Sequence, residues 1–374
     1  MNKRENFKNV KRIVIKIGSS LLTKGGKGLN KAAIADWVLQ MANLRKQGID
    51  VILVSSGSVA EGVWRLGLSA RPTTLHELQA AAAVGQMGLV RVFDDNFQQH
   101  NLHASQVLLT HDDLSNRQRY LNARSTLLTL LDFGVVPVIN ENDTVATEEI
   151  RFGDNDTLAA LVANLVEADL LIILTDQKGL FTADPSVNPE ATLISEIYVD
   201  DNRLESMAGE SRSGLGRGGM FTKVRAARLA ARSGAATVVV AGITKDVINA
   251  VLHGEQIGTH FLPNLEPLAA RKQWLVGQLQ VKGQLVLDDG AVQMLQNNGK
   301  SLLAVGVKWA TGQFERGELV SCLNSNGIEI ARGLVNYGID DTKKIAGKNS
   351  NEFETLLGYA DDLELIHRDN LVLI

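Results

Sequence analysis

Residues 169–176 read Asp-Leu-Leu-Ile-Ile-Leu-Thr-Asp. Five consecutive large aliphatic residues leave no face for water, so a strand built from them is covered on both sides. Strands of that kind belong to parallel sheets packed between helices, and ligands of such sheets sit where the strands end. The Thr-Asp pair stands at such an end. Outward from this run, strand-like segments recur at Arg12–Ile17, Asp50–Ser55, Ser105–Thr110, Val135–Asn140 and Thr237–Ala241. Helical patterns fill the gaps. Ile34, Val38, Met41 and Leu44 fall on one helical face, with Gly48 as the stop. A long helix is predicted over Leu75–Gln99, and another over Thr157–Val166 with Asp156 as its N-cap. This alternation, continuing to about residue 262, predicts an α/β fold: a three-layer αβα sandwich on a mainly parallel sheet.

The pattern changes between Pro263 and Pro267. Beyond Trp274 come short segments punctuated by Asp289-Gly290, Asn298-Gly299, Thr311-Gly312, Arg316-Gly317 and Asn326-Gly327. Turn dipeptides at that density predict a small β-rich module, with a helix near Thr342–Ala346. A first domain at 1–264, a linker at 265–274 and a second domain at 275–374 are therefore expected.

At 374 residues the chain is too long for one core, which agrees with two domains. No apolar run approaches the roughly 18 residues of a membrane span, and Ile13–Ile17 is too short for a signal peptide. Cys322 is the sole cysteine, so neither an intrachain disulfide nor a thiolate metal cluster can form, and it is expected as a small buried apolar residue. A cytoplasmic location is the matching expectation. Residues 275–374 carry nine Lys/Arg and thirteen Asp/Glu, leaving 29 of each in the remainder. Neither part offers the basic surface that nucleic acid needs, so nucleic-acid binding is not expected.

Four loops carry the chemistry. Lys16-Ile17-Gly18-Ser19-Ser20 ends the first strand, and a lysine there calls for an anionic partner. Ser55-Ser56-Gly57-Ser58 opens a helix with small residues, which frees backbone N–H groups for an anion. Asn140-Glu141-Asn142-Asp143-Thr144 and Arg151-Phe152-Gly153-Asp154-Asn155-Asp156 hold more Asp, Glu and Asn side chains than two turns require. They lack the twelve-residue spacing and closing glutamate of a calcium loop. Ser213 to Lys223 formally contains G-x-G-x-x-G at Gly214, Gly216 and Gly219. No strand precedes it and no acid closes the next strand, so a dinucleotide reading fails, while a phosphate loop opening a helix does not.

Taken together, VIKIGSS, VSSGSVAEG, VPVINENDTVAT, FGDNDTLAALVA, LTDQKGLFTADP and GRGGMFTKVRAA, in that order, resemble the amino-acid kinase superfamily over essentially the whole chain. The C-terminal part resembles the PUA module. The resemblance, closest to the branch acting on free glutamate, implies transfer of phosphate from ATP to the γ-carboxylate of L-glutamate. The product would be L-glutamyl 5-phosphate, the first step of proline biosynthesis. By matched position, Lys16 and Lys223 contact the transferring phosphoryl group from opposite sides, and Asp156 holds both. Lys16, Thr175, Asp176, Arg217, Gly218, Gly219, Met220, Phe221, Thr222 and Lys223 fall at the ATP positions. Ser56, Asp143 and Asn155 match the glutamate positions, with Asn140 beside them. Arg217 departs from the family, where a small residue is usual. Mg²⁺ is implied chiefly as a companion of ATP, with no metal site of the protein's own. Proline as a feedback inhibitor, a homo-oligomer (dimer or tetramer) and glutamyl-phosphate reductase as a partner are also implied. Rival readings are kinases for N-acetylglutamate, aspartate, carbamate or UMP, an RNA-binding protein acting through the PUA module, and an inactive regulator. Asp143 favours a free α-ammonium over an acetylated amine, the acidic module opposes RNA, and retention of both lysines opposes inactivity.

Overall fold

The computed structural model describes residues 3–23, 25, 28–145, 154–209, 219–264, 280–360 and 362–374. The chain divides into two compact units, Met1–Ser115 with Asn122–Leu268, and Asn116–Leu121 with Ala269–Ile374. The expected linker at 265–274, with Pro267 and Trp274, lies outside the described residues.

The first unit is built on an eight-stranded sheet. Its strands are β1 (Arg12–Ile17), β2 (Asp50–Val54), β3 (Ala104–Leu109), β4 (Val136–Glu141), β5 (Leu170–Thr175), β6 (Glu196–Tyr198), β7 (Ala236–Ala241) and β8 (Thr259–Leu262). They are arranged β3-β4-β2-β1-β5-β7-β8-β6, and only the β7–β8 pair is antiparallel. The strands expected from sequence are all present to within a residue or so. β6 and β8 were not anticipated. They hold only three and four residues, too few for a run or alternation to stand out.

Helices cover both faces. α1 (Lys31–Lys46), α3 (Leu75–Gln98) and a short helix at Val247–Leu252 pack on one, against Ile13, Ile15, Ile17, Leu53, Ile172 and Val240. α4 (Asn155–Leu165) and α5 (Met220–Ala230) lie against the other, where Val14, Ile52, Leu171 and Ile173 are buried. This is the three-layer sandwich. Gly48, at φ 82°, follows the end of α1 as expected, because a left-handed stop suits glycine. Between β2 and α3, α2 (Ser58–Arg65) meets α3 backbone to backbone. A Cβ on Gly62 would fall 1.7 Å from the Ala81 carbonyl oxygen, and one on Gly85 1.8 Å from that of Ser58. Only glycine permits this approach.

The second unit contains a five-stranded sheet with Phe314, Tyr337, Ile345 and Phe353 in its core. Asn326-Gly327 makes the hairpin between its strands Leu319–Leu323 and Glu329–Leu334, as expected. Asp289-Gly290 is not a turn between strands. It opens a helix, Asp289–Asn298, because the Asp288 carboxylate accepts from the Ala291 N–H at 2.7 Å and caps it. Gly299 ends that helix in the left-handed conformation. The helix expected near Thr342 spans Ile339–Ile345. Cys322 is fully buried, and burial pushes its thiol up to about 12, so it is inert packing.

Candidate active site

Side chains alternate along β1. Ile13, Ile15 and Ile17 point into the layer formed by α1 and α3, so Lys16 points the other way, toward α4. The first turn of α4 carries Asp156. Lys16 Nζ lies 2.6 Å from Asp156 Oδ1, and Lys223 Nζ, from the first turn of α5, lies 3.1 Å from Asp156 Oδ2. The Thr222 hydroxyl donates to the same Oδ2 at 2.8 Å. Lys16, Asp156 and Lys223 are 6%, 1% and 3% exposed, so all three charges are out of water. Burial pushes the Asp156 carboxyl up, but the Lys16 and Lys223 ammonium groups together outweigh it and hold it down at about 2. One carboxylate is thus shared between two buried cations. Two ammonium groups brought together on one carboxylate place cationic donors where a phosphoryl group can meet both.

Asp156 does not cap α4. Asp154 does, accepting from the Thr157 N–H at 3.2 Å and the Thr157 hydroxyl at 2.6 Å. The helix therefore starts two residues earlier than expected, and Asp156, freed from capping, faces the lysines.

On the other side of Lys16, the loop after β2 meets those after β4. Gly57, at φ 90°, turns the chain into α2. Ser58 then donates from its hydroxyl to Asp143 Oδ2 at 2.6 Å. Burial raises the Asp143 carboxyl above its ordinary value, against the lowering effect of Ser58 and the nearby Arg71 charge. Asn155 Nδ2 donates both to the Ser55 carbonyl at 2.6 Å and to Asn140 Oδ1 at 2.7 Å, and Asn140 Nδ2 donates to Gln86 Oε1 at 2.7 Å. Ser56 is half-buried at the same turn. Ser58 and Gln86 escaped the sequence reading. Ser58 stood inside a quoted motif as one small residue among several, and Gln86 sits mid-helix, where nothing in the sequence marks it.

At the end of β5, the buried Thr175 donates from its hydroxyl to Asp176 Oδ1 at 3.1 Å, and Asp176 is exposed. Of the expected phosphate loop, Gly219 to Lys223 are described. Gly219 precedes α5 in open space, and Phe221 is 43% exposed. Arg217, Gly218, Gly214 and Gly216 lie outside the described residues, as do Arg151, Phe152 and Gly153.

Comparison with known proteins fits this geometry. The model of the amino acid kinase family matches residues 11–242, and that of the PUA domain residues 283–357. The chain is 60% identical over 373 residues to a glutamate 5-kinase of Methylococcus capsulatus, covering 100% of each chain. It is 61% identical to one from Hydrogenovibrio crunogenus, covering 97% of this chain and 96% of that one. A third, from Pseudomonas putida, is 59% identical, with 99% and 100% covered.

Proposed function

The chain belongs to the amino acid kinase family, and from that premise we propose how its residues transfer phosphate from ATP to the γ-carboxylate of L-glutamate. That reaction is the activity of the chain, as its relatives' identity to it over the full length requires. The observation that carries the mechanism is the buried Lys16–Asp156–Lys223 cluster, two ammonium groups meeting on one carboxylate.

A glutamate side-chain carboxyl has a reference pKa near ~4.3 and is already a nucleophilic anion at neutral pH, so no general base is needed. No histidine falls in any of the six motifs. The demand is for charge stabilisation and alignment. Lys16 and Lys223 stand on either side of the Asp156 carboxylate and meet the phosphoryl oxygens as charge spreads over them. Asp156 stays ionised and holds both ammonium groups in place without taking part in proton transfer. Ser56, Asp143 and Asn155 bind glutamate, with Asp143 facing its α-ammonium. Thr175, Asp176 and the segment from Arg217 to Lys223 hold the nucleotide. Mg²⁺, when bound, neutralises phosphate charge. It would come to the site chiefly with ATP.

Proline, which shares the α-carboxylate and amine of glutamate, fits the Ser56 and Asp143 positions as a competing inhibitor. A homo-oligomer, a cytoplasmic location and hand-over of the acyl phosphate to a reductase complete the reading. Among the described residues no helix is long and apolar enough to cross a membrane. The reading is tested by ADP release over a panel of acids. L-Glutamate should support turnover far above N-acetyl-L-glutamate, L-aspartate and carbamate. Turnover with N-acetylglutamate at the glutamate rate would remove the ammonium role of Asp143.

A further inference from the structure

Gln86 is 7% exposed, in the middle of α3, and has no obvious place in a sandwich whose helices bury aliphatic residues. Its Oε1 accepts from Asn140, but its Nε2 is buried and has no hydrogen-bond partner among the described residues. A buried amide donor left unpaired works against folding, so a residue that carries one is expected to serve another purpose.

The direction of the amide chain shows what that purpose is. The Ser55 carbonyl can only accept, so Asn155 must turn its amide nitrogen toward it. The same nitrogen donates to Asn140 Oδ1, which obliges Asn140 to present its own nitrogen to Gln86, where Oε1 receives it. Both protons of Asn155 Nδ2 are then used. Its Oδ1 accepts no hydrogen bond among the described residues and is left available. An available amide oxygen suits an ammonium group, which has three donors and no acceptor. Reversing Asn155 would set its amide oxygen against the Ser55 carbonyl oxygen, acceptor against acceptor.

We infer that Gln86 is a positioning residue. It closes the amide chain at the end opposite the Ser55 carbonyl, holding Asn140 and with it Asn155 so that the Asn155 side-chain oxygen stays toward the glutamate site. The inference rests on the glutamate-binding role of Asn155. Gln86 touches neither substrate nor the reacting atoms; it sets the orientation of a side chain that does.

The test uses the full chain with Gln86→Met and Gln86→Glu. Methionine keeps the length of the side chain but cannot receive the Asn140 proton, whereas glutamate keeps an acceptor oxygen at the same reach. Gln86→Met is expected to raise KM for glutamate by about tenfold or more, the size of a lost hydrogen bond to a charged group. KM for ATP should stay unchanged. Its Tm should stay within a few degrees of the unaltered chain, because one buried unpaired donor replaces another. Gln86→Glu should bring the glutamate KM back to within about threefold. A Gln86→Met chain with unaltered glutamate KM would overturn the inference. So would equal deficits in both variants, or a rise in both KM values together with a fall in Tm. Absence of glutamate-dependent ADP release from the unaltered chain, measured alongside, would strike the parent reading and this inference with it.

Discussion

At the residue scale, the proposed chemistry rests on three charges out of water, Lys16, Asp156 and Lys223. Replacing Lys16 or Lys223 with Ala should lower kcat by roughly 10²-fold or more, the effect of losing one donor aimed at developing charge. Glutamate KM should move little, since neither lysine is assigned to glutamate; near-normal turnover in either variant would remove it from the catalytic role. Asp156 gives a stability prediction with a definite sign. Its folded pKa, about 2, lies below its ordinary value of 3.8, so its ionised form stabilises the fold. That contribution is complete above about pH 4 and fades as pH falls from there toward about 2. Asp156→Asn should therefore lower Tm most at neutral pH, where it removes the charge that both buried ammonium groups meet, at a loss of about 3–5 kcal/mol. The gap should close in acid. An equal gap at pH 7 and pH 2.5 would show that the carboxylate charge is not what holds the cluster. The lysines and the acid were legible as motif residues, but their meeting was expected only through the family resemblance, because Asp156 comes from another strand-helix unit. Reading Asp156 as a cap failed because Asp154, two residues earlier, competes for the same role and wins with a Thr157 contact.

Among the elements, long apolar strands and amphipathic helices announced themselves, and most of the first sheet follows from them. β6 and β8 did not, since strands of three and four residues at the sheet's edge are defined by their neighbours and not by their own pattern. The packing of α2 on α3 was equally hidden. Gly62 and Gly85 look like unremarkable small residues until the two helices are brought together. Gly85→Ala would drive a methyl group into the Ser58 carbonyl and push α2 outward. Overpacking of this kind is destabilising by about 1–3 kcal/mol. Because Ser58 holds Asp143 at 2.6 Å, the same change should raise glutamate KM while leaving ATP KM near its normal value. Kinetics of the purified variant decide this, and an unchanged glutamate KM would show that α2 does not set the Asp143 position.

For the whole molecule, the proposed site residues from Lys16 to Lys223 all belong to the first unit. A chain ending at residue 264 should therefore fold and phosphorylate glutamate, with any change confined to assembly or regulation. A folded truncation devoid of activity would refute this. Within the second unit, residues 275–374 hold thirteen acidic residues against nine basic ones. In its helix Ile339–Ile345 the Lys344 ammonium is already engaged by Asp341 at 3.0 Å. Tight, salt-sensitive binding of RNA is not expected of it, and submicromolar affinity in a titration would contradict that expectation. The division of labour was readable in the sequence as a change from strand-helix alternation to closely spaced turns, although the helix at Asp289–Asn298 was misread as a turn through its Asp-Gly start. The central claim, that these residues make an acyl phosphate on the glutamate side chain, is tested most directly by trapping the product. With ATP, L-glutamate and hydroxylamine, the unaltered chain should form γ-glutamyl hydroxamate in step with ADP, and Lys223→Ala should form almost none. ADP release without hydroxamate, or hydroxamate at the full rate from Lys223→Ala, would contradict it.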